Sequence, residues 1–286
     1  MFYNIFEFQA VNGVSLSQVN QEGTVIYSVY PLMNNHCYCN TVYTIKPDTK
    51  VMEVRAQRRI KTGEEISTRY VLPSMEQPTR LEYIKKVWDF ICRCDRCQSP
   101  SELGSMFSGL KCGQCLQGYC LPGRAGELQC DWRCEECGEE TPHQEVGAVL
   151  ARCRALVTKV AGVEDAETLL TSLQHHLHPN HGLCVQLRTQ LISSYDQLED
   201  KSRAQLDRQL QLAQQVLAVT DIIDPGLTPR RGGLLKHVLE LRTRTANMDK
   251  KQGVIDKERH MDILRSNMGM VKEIMQCMKY ATVYKI

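Results

Sequence analysis

The run Asn34-Asn-His-Cys-Tyr-Cys-Asn40 decides how this chain is read. It places two thiols and an imidazole within four residues, too few donors to close a metal site. Further on, Cys92-Arg-Cys-Asp-Arg-Cys97 supplies three closely spaced thiols. A closed tetrahedral zinc site takes four ligands, so the triplet is one short. The earlier run is expected to provide the fourth, with Cys37 and Cys39 as the thiol candidates and His36 as the nitrogen alternative.

A second constellation stands by itself. Cys112-Gly-Gln-Cys115 and Cys134-Glu-Glu-Cys137 are two CxxC knuckles separated by eighteen residues. Each short turn aims two thiolates at one ion, and this separation suits tetrahedral zinc. With all four positions filled by protein, such a site is structural rather than catalytic. Cys120 and Cys130 lie between the knuckles and are read as bystanders; Cys153, Cys184 and Cys277 are read as small apolar core residues.

Composition bounds the function classes. The chain has 286 residues, 42% hydrophobic and 24% charged, which suits about two globular domains. Thirty-five basic residues against 33 acidic ones leave a formal charge of +2, no strong field for nucleic acid or anionic lipid. The second cysteine region is not basic: Lys111, Arg124 and Arg133 face Glu127, Asp131, Glu135 and Glu136. Direct nucleic-acid binding is therefore the weakest of the function classes and is not expected, and no apolar run has the length of a membrane helix. Met1–Ala10 does not read as a signal peptide. Fourteen cysteines without a secretory signal point to metal ligands rather than disulfides. The expected location is cytoplasm, nucleus or both.

The pattern along the chain is α+β. Short β-rich runs, Thr24–Tyr30, Thr41–Ile45 and Lys50–Arg55, fill the first 75 residues, with turns at Pro47-Asp48 and Lys61-Thr-Gly63. Leu81, Ile84 and Trp88 mark one face of a short helix. Residues 92–140 hold too little apolar surface for a core of their own, so metal must supply ordering energy. From about residue 145 leucines recur at helical spacing: Leu169, Leu170, Leu173 and Leu177; Leu183, Leu187 and Leu191; Leu210, Leu212, Val216 and Leu217. Breaks are expected at His178–Gly182, Asp224-Pro-Gly226 and Pro229–Gly233. The histidines 175, 176, 178 and 181 are read as a helix end and link, and Arg230, Arg231, Lys236, Arg242 and Arg244 as a solvated face. Helices with short links suggest a stacked, repeat-like array.

These motifs resemble a known family. Asn34–Thr41 resembles the asparagine-histidine-serine-cysteine-x-proline-asparagine motif of SET domains. Gly63-Glu-Glu-Ile-Ser-Thr-Arg-Tyr70 resembles their later glycine-glutamate-glutamate…tyrosine motif, and Cys92–Cys97 their post-SET segment. Order and spacing are similar to the SMYD group, and the arthropod SmydA subgroup is similar in Ser101-Glu-Leu-Gly104, the following CxxC, Trp132-x-Cys134, Leu177–His181 and Asp224–Gly226.

The resemblance implies a partial SET domain with a pseudoknot segment over 1–75, a post-SET zinc segment over 76–100, a second zinc loop over 101–143 and an all-helical C-terminal domain over 144–286. It also implies an S-adenosylmethionine-dependent protein-lysine methyltransferase acting on a protein or histone tail, with a possible peptide partner for the helical domain. Carried over by position, Asn34, Asn35 and Phe90 contact the cofactor and Tyr70 orients the target amine. Cys37 then joins Cys92, Cys94 and Cys97 on one zinc, and Cys112, Cys115, Cys134 and Cys137 hold another. Asn35, His36 and Cys39 depart from the motif's histidine, serine and proline. Neither a MYND finger nor a glycine-rich cofactor segment precedes Asn34, so a truncated SET domain with impaired cofactor binding is the expectation. The alternative is a non-catalytic, zinc-stabilised interaction scaffold.

Overall fold

Residues 13–15 and 23–279 are described by the structure, a computed structural model; the signal-peptide reading of Met1–Ala10 falls outside them. The N-terminal part holds two antiparallel ribbons. β1 (Val14–Ser15) pairs with β2 (Thr24–Val25), and β3 (Thr41–Ile45) pairs with β4 (Met52–Ala56), Thr41 opposite Ala56. The Pro47-Asp48 turn joins β3 to β4, and Lys50 closes it with a φ of 58°. The run Thr24–Tyr30 is expected as one strand, but only Thr24 and Val25 pair. Beyond them Val29 is 69% exposed, and Pro31 opens a single 3-10 turn at Tyr30–Leu32. A strand needs a ladder partner, and proline removes one of its donors.

Between residues 34 and 68 the chain passes beside itself. His36 N donates to Thr68 O at 2.8 Å and Thr68 N to Asn34 O at 3.0 Å, forming a parallel bridge between Asn35 and Thr68. Helix α1 (Gln77–Trp88) follows, with Leu81 and Ile84 buried as the apolar spacing predicts. Asp89, with a φ of 55°, ends it and reverses the chain towards α2 (Asp95–Gln98). Next comes a four-stranded antiparallel sheet in sequential order: β5 (Leu110–Lys111), β6 (Tyr119–Pro122), β7 (Trp132–Cys134) and β8 (Glu140–Thr141).

Six helices complete the described chain: α3 (His143–Lys159), α4 (Val163–Leu173), α5 (Gly182–Asp196), α6 (Arg203–Ile223), α7 (Pro229–Lys251) and α8 (Lys257–Met278). From α4 to α8 each packs on its successor, while α3 touches both α4 and α5. The predicted leucine stripes supply the core: Leu170, Leu173, Leu177, Leu183, Leu187, Leu191, Leu212 and Val216 are all buried. Phe107, Leu110 and Trp132 join this same core. The cysteine-rich segment thus divides: its part from Phe107 to Cys134 uses the core of the helices, while Cys92, Cys94 and Cys97 pack in a separate cluster with Cys37, Val71, Leu81 and Ile84. The link before α5 binds β5 directly: Lys111 N donates to His176 O and His178 N to Gly109 O, both at 2.9 Å.

Two sequence expectations change here. Pro229–Gly233 is not a break but the first turn of α7. Proline lacks only a donor that the first helical turn leaves unpaired anyway. Thr228 Oγ1 caps that turn by accepting from Arg231 N at 3.2 Å. A Cβ on Gly232 would stand 2.5 Å from Cys277 Cβ, so the glycine lets α7 and α8 approach closely. Arg231 is also no solvated residue, since it bridges Asp221 of α6 and Glu273 of α8, each at 2.5 Å.

A candidate twin metal centre and the wall beside it

Two groups of four thiols converge, and in each the four Sγ atoms lie within 4.8 Å of one another. The first unites Cys37, Cys92, Cys94 and Cys97, all buried. Cys37 Sγ is 3.8 Å from Cys92 Sγ and 3.6 Å from Cys97 Sγ. The second unites Cys112, Cys115, Cys134 and Cys137, with 3.7 Å between Cys112 and Cys137 and 3.8 Å between Cys115 and Cys134. A zinc tetrahedron with bonds of about 2.3 Å has sulfur–sulfur edges of about 3.8 Å. These distances therefore fit two zinc ions.

Local structure accounts for each set. Cys37 leaves the Asn35–Thr68 bridge, Cys94 is the N-cap of α2, and Cys97 sits within that helix. The fourth-ligand question resolves to Cys37. Cys39 turns away, its Sγ 3.2 Å from Thr41 O, while His36 Nδ1 accepts from Tyr38 N at 3.2 Å. At the second centre Gly118 N donates to Cys115 Sγ at 3.4 Å. The backbone N–H groups of Gly118 and Gln117 draw the Cys115 thiol down to about 6, favouring the thiolate that metal requires. Cys120 stays outside, 3.7 Å from Thr141 Oγ1, as its bystander reading predicts. Among the described residues the histidines 175, 176, 178 and 181 belong to no such cluster.

Beside the first centre lies an aromatic wall. Asn35 ties it to the metal cage: its Oδ1 accepts from Tyr70 N at 2.9 Å and its Nδ2 donates to Cys92 Sγ at 3.3 Å. The Tyr70 hydroxyl donates to Met33 O at 2.7 Å, and burial pushes its pKa up. The Tyr70 ring lies 5.1 Å from that of Trp88 and 6.5 Å from that of Phe90. Asn35, Tyr70 and Phe90 are thus brought together. Asn34 is exposed, and its amide donates to Glu65 at 2.5 Å.

Three buried charges beside the first centre escape the sequence reading. Arg80 Nη1 and Arg96 Nε both donate to Glu102 Oε2, at 2.9 and 2.8 Å, and all three side chains are 0% exposed. Burial pushes the Glu102 carboxyl up, but the two guanidinium groups outweigh it and hold the group below its usual range. A signal existed: Arg80 precedes Ile84 by four residues and so shares the apolar face of α1.

No family model matches the chain. It is similar to two isoforms of the SET domain-containing protein SmydA-8 of Drosophila melanogaster. Isoform B is 31% identical over 136 residues, 46% of this chain and 30% of the relative. Isoform A is 33% identical over 127 residues, 43% and 27% respectively. The histone-lysine N-methyltransferase SET5 of Candida glabrata is 35% identical over 85 residues, 30% of this chain and 16% of that protein. The chain spans no more than 30% of the length of these relatives. Cys37 closing on the Cys92–Cys97 triplet across the Asn35–Thr68 bridge agrees with these similarities, which relate the matched part of the chain to SET-domain proteins of the SmydA kind.

Proposed function

We propose that this chain forms the zinc-bearing part of an S-adenosylmethionine-dependent protein-lysine methyltransferase of the SET/SMYD type, acting on a protein or histone tail in the cytoplasm or nucleus. The observation that carries the reading is the wall formed by Asn35, Tyr70 and Phe90 against the first metal centre. Its electron-rich groups, the two rings and the Met33 carbonyl beside the Tyr70 hydroxyl, suit a cationic ligand. When bound, S-adenosylmethionine would supply a sulfonium methyl group to a neutral lysine amine, its sulfur leaving as a neutral thioether and the methylated ammonium giving up one of its two protons to solvent. Tyr70 serves by position. Its hydroxyl is anchored on Met33 and its ring is held by Trp88, which restricts how an amine can approach. A lysine loses its proton more readily where burial disfavours charge. Asn34, engaged with Glu65 at the surface, leaves the wall one contact short of the family pattern, so we propose weak cofactor binding and low turnover.

The test is calorimetric titration of S-adenosylmethionine into the zinc-loaded chain. Saturable binding that persists in Tyr70→Phe, with methyl transfer to a histone-tail peptide reduced at least 10-fold, supports the enzyme reading. A folded, zinc-loaded chain that gives no binding heat overturns it.

One observation favours the scaffold reading as a second possibility. On α8, Met261, Met268 and Met275 recur every seven residues and stay 40–70% exposed, with Val271 beside them and the basic Arg265 and Lys272 along one edge. Such a stripe suits an acidic amphipathic helix. Charge reversal at Lys272 should then weaken capture of a Glu-rich amphipathic peptide, whatever the titration gives.

A further inference from the structure

The first metal centre carries a device that the second does not share in the same form. Arg80, Glu102 and Arg96 form a row of positive, negative and positive charges with no solvent exposure. Glu102 is saturated: both arginines donate to Oε2, and Ser108 Oγ donates to Oε1. Arg96 is further held by Pro73 O at 2.8 Å and lies over the Phe107 ring, 5.4 Å from its centroid. Arg80 Nη1 also donates to Met75 O at 2.7 Å. These bonds leave the row with one net positive charge in the interior, and an uncompensated buried charge is strongly unfavourable.

The compensating charge is close by. Arg80 Nη2 points at Cys97 Sγ, 3.6 Å away. Four thiolates around one zinc carry two net negative charges, also buried. The row and the metal cage are therefore opposite charges in contact, each reducing the cost of burying the other. Arg80 Nε and Arg96 Nη2 are buried and without hydrogen-bond partners. Gln77 Nε2 fixes the backbone of the same ligand, donating to Cys97 O at 2.5 Å, and Gln77 N is in turn held by Ser108 Oγ at 2.8 Å. At the second centre the corresponding donor to sulfur is a backbone amide, Gly118 N on Cys115, beside the exposed Cys137.

We infer that Arg80 is a positioning residue of the first metal centre: its guanidinium, set by Glu102 and Arg96, is the fixed counter-charge that retains the ion on Cys37, Cys92, Cys94 and Cys97. The inference concerns metal retention and does not depend on methyl transfer. A merely structural role, tying residues 73–75 to α2 and Ser108, would weaken the fold without selecting one metal centre.

The second centre provides an internal control. The full chain loaded with two zinc ions is challenged with excess chelator, and alkylation of its cysteines is followed peptide by peptide over time. In Arg80→Met, which keeps the aliphatic stem and removes the charge, Cys92, Cys94 and Cys97 should become reactive roughly 10–100-fold faster, the range for losing a group that supports metal ligands. Cys112, Cys115, Cys134 and Cys137 should react at the wild-type rate. Arg80→Lys should lie between wild type and Arg80→Met, because it keeps a charge but not the planar fork. Unchanged release at the first centre overturns the inference, and so does equal acceleration at both. Should Arg80→Met fail to fold, Arg80→Lys decides by the same comparison: faster release confined to the first centre supports the assignment, and any other pattern overturns it.

Discussion

His181 shows how much one residue can decide. It is wholly buried at the start of α5, where its Nδ1 caps the helix by accepting from Leu183 N at 3.1 Å. Burial holds its pKa down to about 3, well below the usual 6.5, so the ring is neutral in the folded chain. The unfolded chain protonates it below about pH 6.5, so folding stability falls as pH drops from there towards 3, by up to about 1.4 kcal/mol per pH unit. His181→Asn keeps a capping side chain and removes the titration. Denaturant midpoints between pH 7 and 5 should therefore fall less steeply in the variant, and an equal slope would contradict the assignment. Protonation of the cysteine cages acts on both proteins alike. That histidines 175–181 form a helix end and link was legible in the sequence. The capping role of His181 was not, since it depends on which residue the fold buries.

At the scale of elements, the turn between α6 and α7 docks on the segment after β4. Leu227 N donates to Gln57 O at 2.7 Å, and Arg69 pairs with Asp224 at 2.5 Å. Gly226, with a φ of 89°, makes the approach possible, for a Cβ there would stand 2.1 Å from Gln57 O. Gly226→Ala should cost at least about 1–3 kcal/mol through overpacking and backbone strain, read as a lower denaturant midpoint. Asp224-Pro-Gly226 announces a break in sequence, but nothing local tells that Gln57 receives it. The same limit explains Pro229–Gly233: Pro and Gly signal a turn, whereas Thr228 capping and the α7–α8 contact turn them into a helix start. Knuckles of the CxxC kind are legible because both ligands come from one turn. For the β5–β8 sheet, Cys134→Ser should release one zinc ion while the first centre keeps its own, measured by metal analysis of the purified variant.

For the whole molecule, the metal centres and the helical core contribute separately to order. Purified chain should carry two zinc ions. Chelation should lower the Tm yet leave most helical circular dichroism, because Leu187, Leu191, Leu212 and Val216 pack among helices that hold no ligand. Loss of helical signal in step with zinc would show instead that Phe107, Leu110 and Trp132, which join the sheet to that core, hold both together.

The sequence by itself determined what rests on short-range spacing: the two CxxC knuckles, the Cys92–Cys97 triplet, the buried face of α1 and the leucine stripes of α4 to α6. Ligands or apolar groups a few residues apart are placed by one turn of backbone. The tertiary structure alone decided what rests on segments distant in the chain. It set Cys37, the ligand the family resemblance implies but spacing leaves open against Cys39 and His36, on the triplet, because the Asn35–Thr68 bridge fixes which side chain meets it. It buried Arg80, Arg96 and Glu102 together beside the first cage, and it put Asn35 against Tyr70 while turning Asn34 to Glu65. Such pairings follow from how the chain passes itself, which no local pattern encodes.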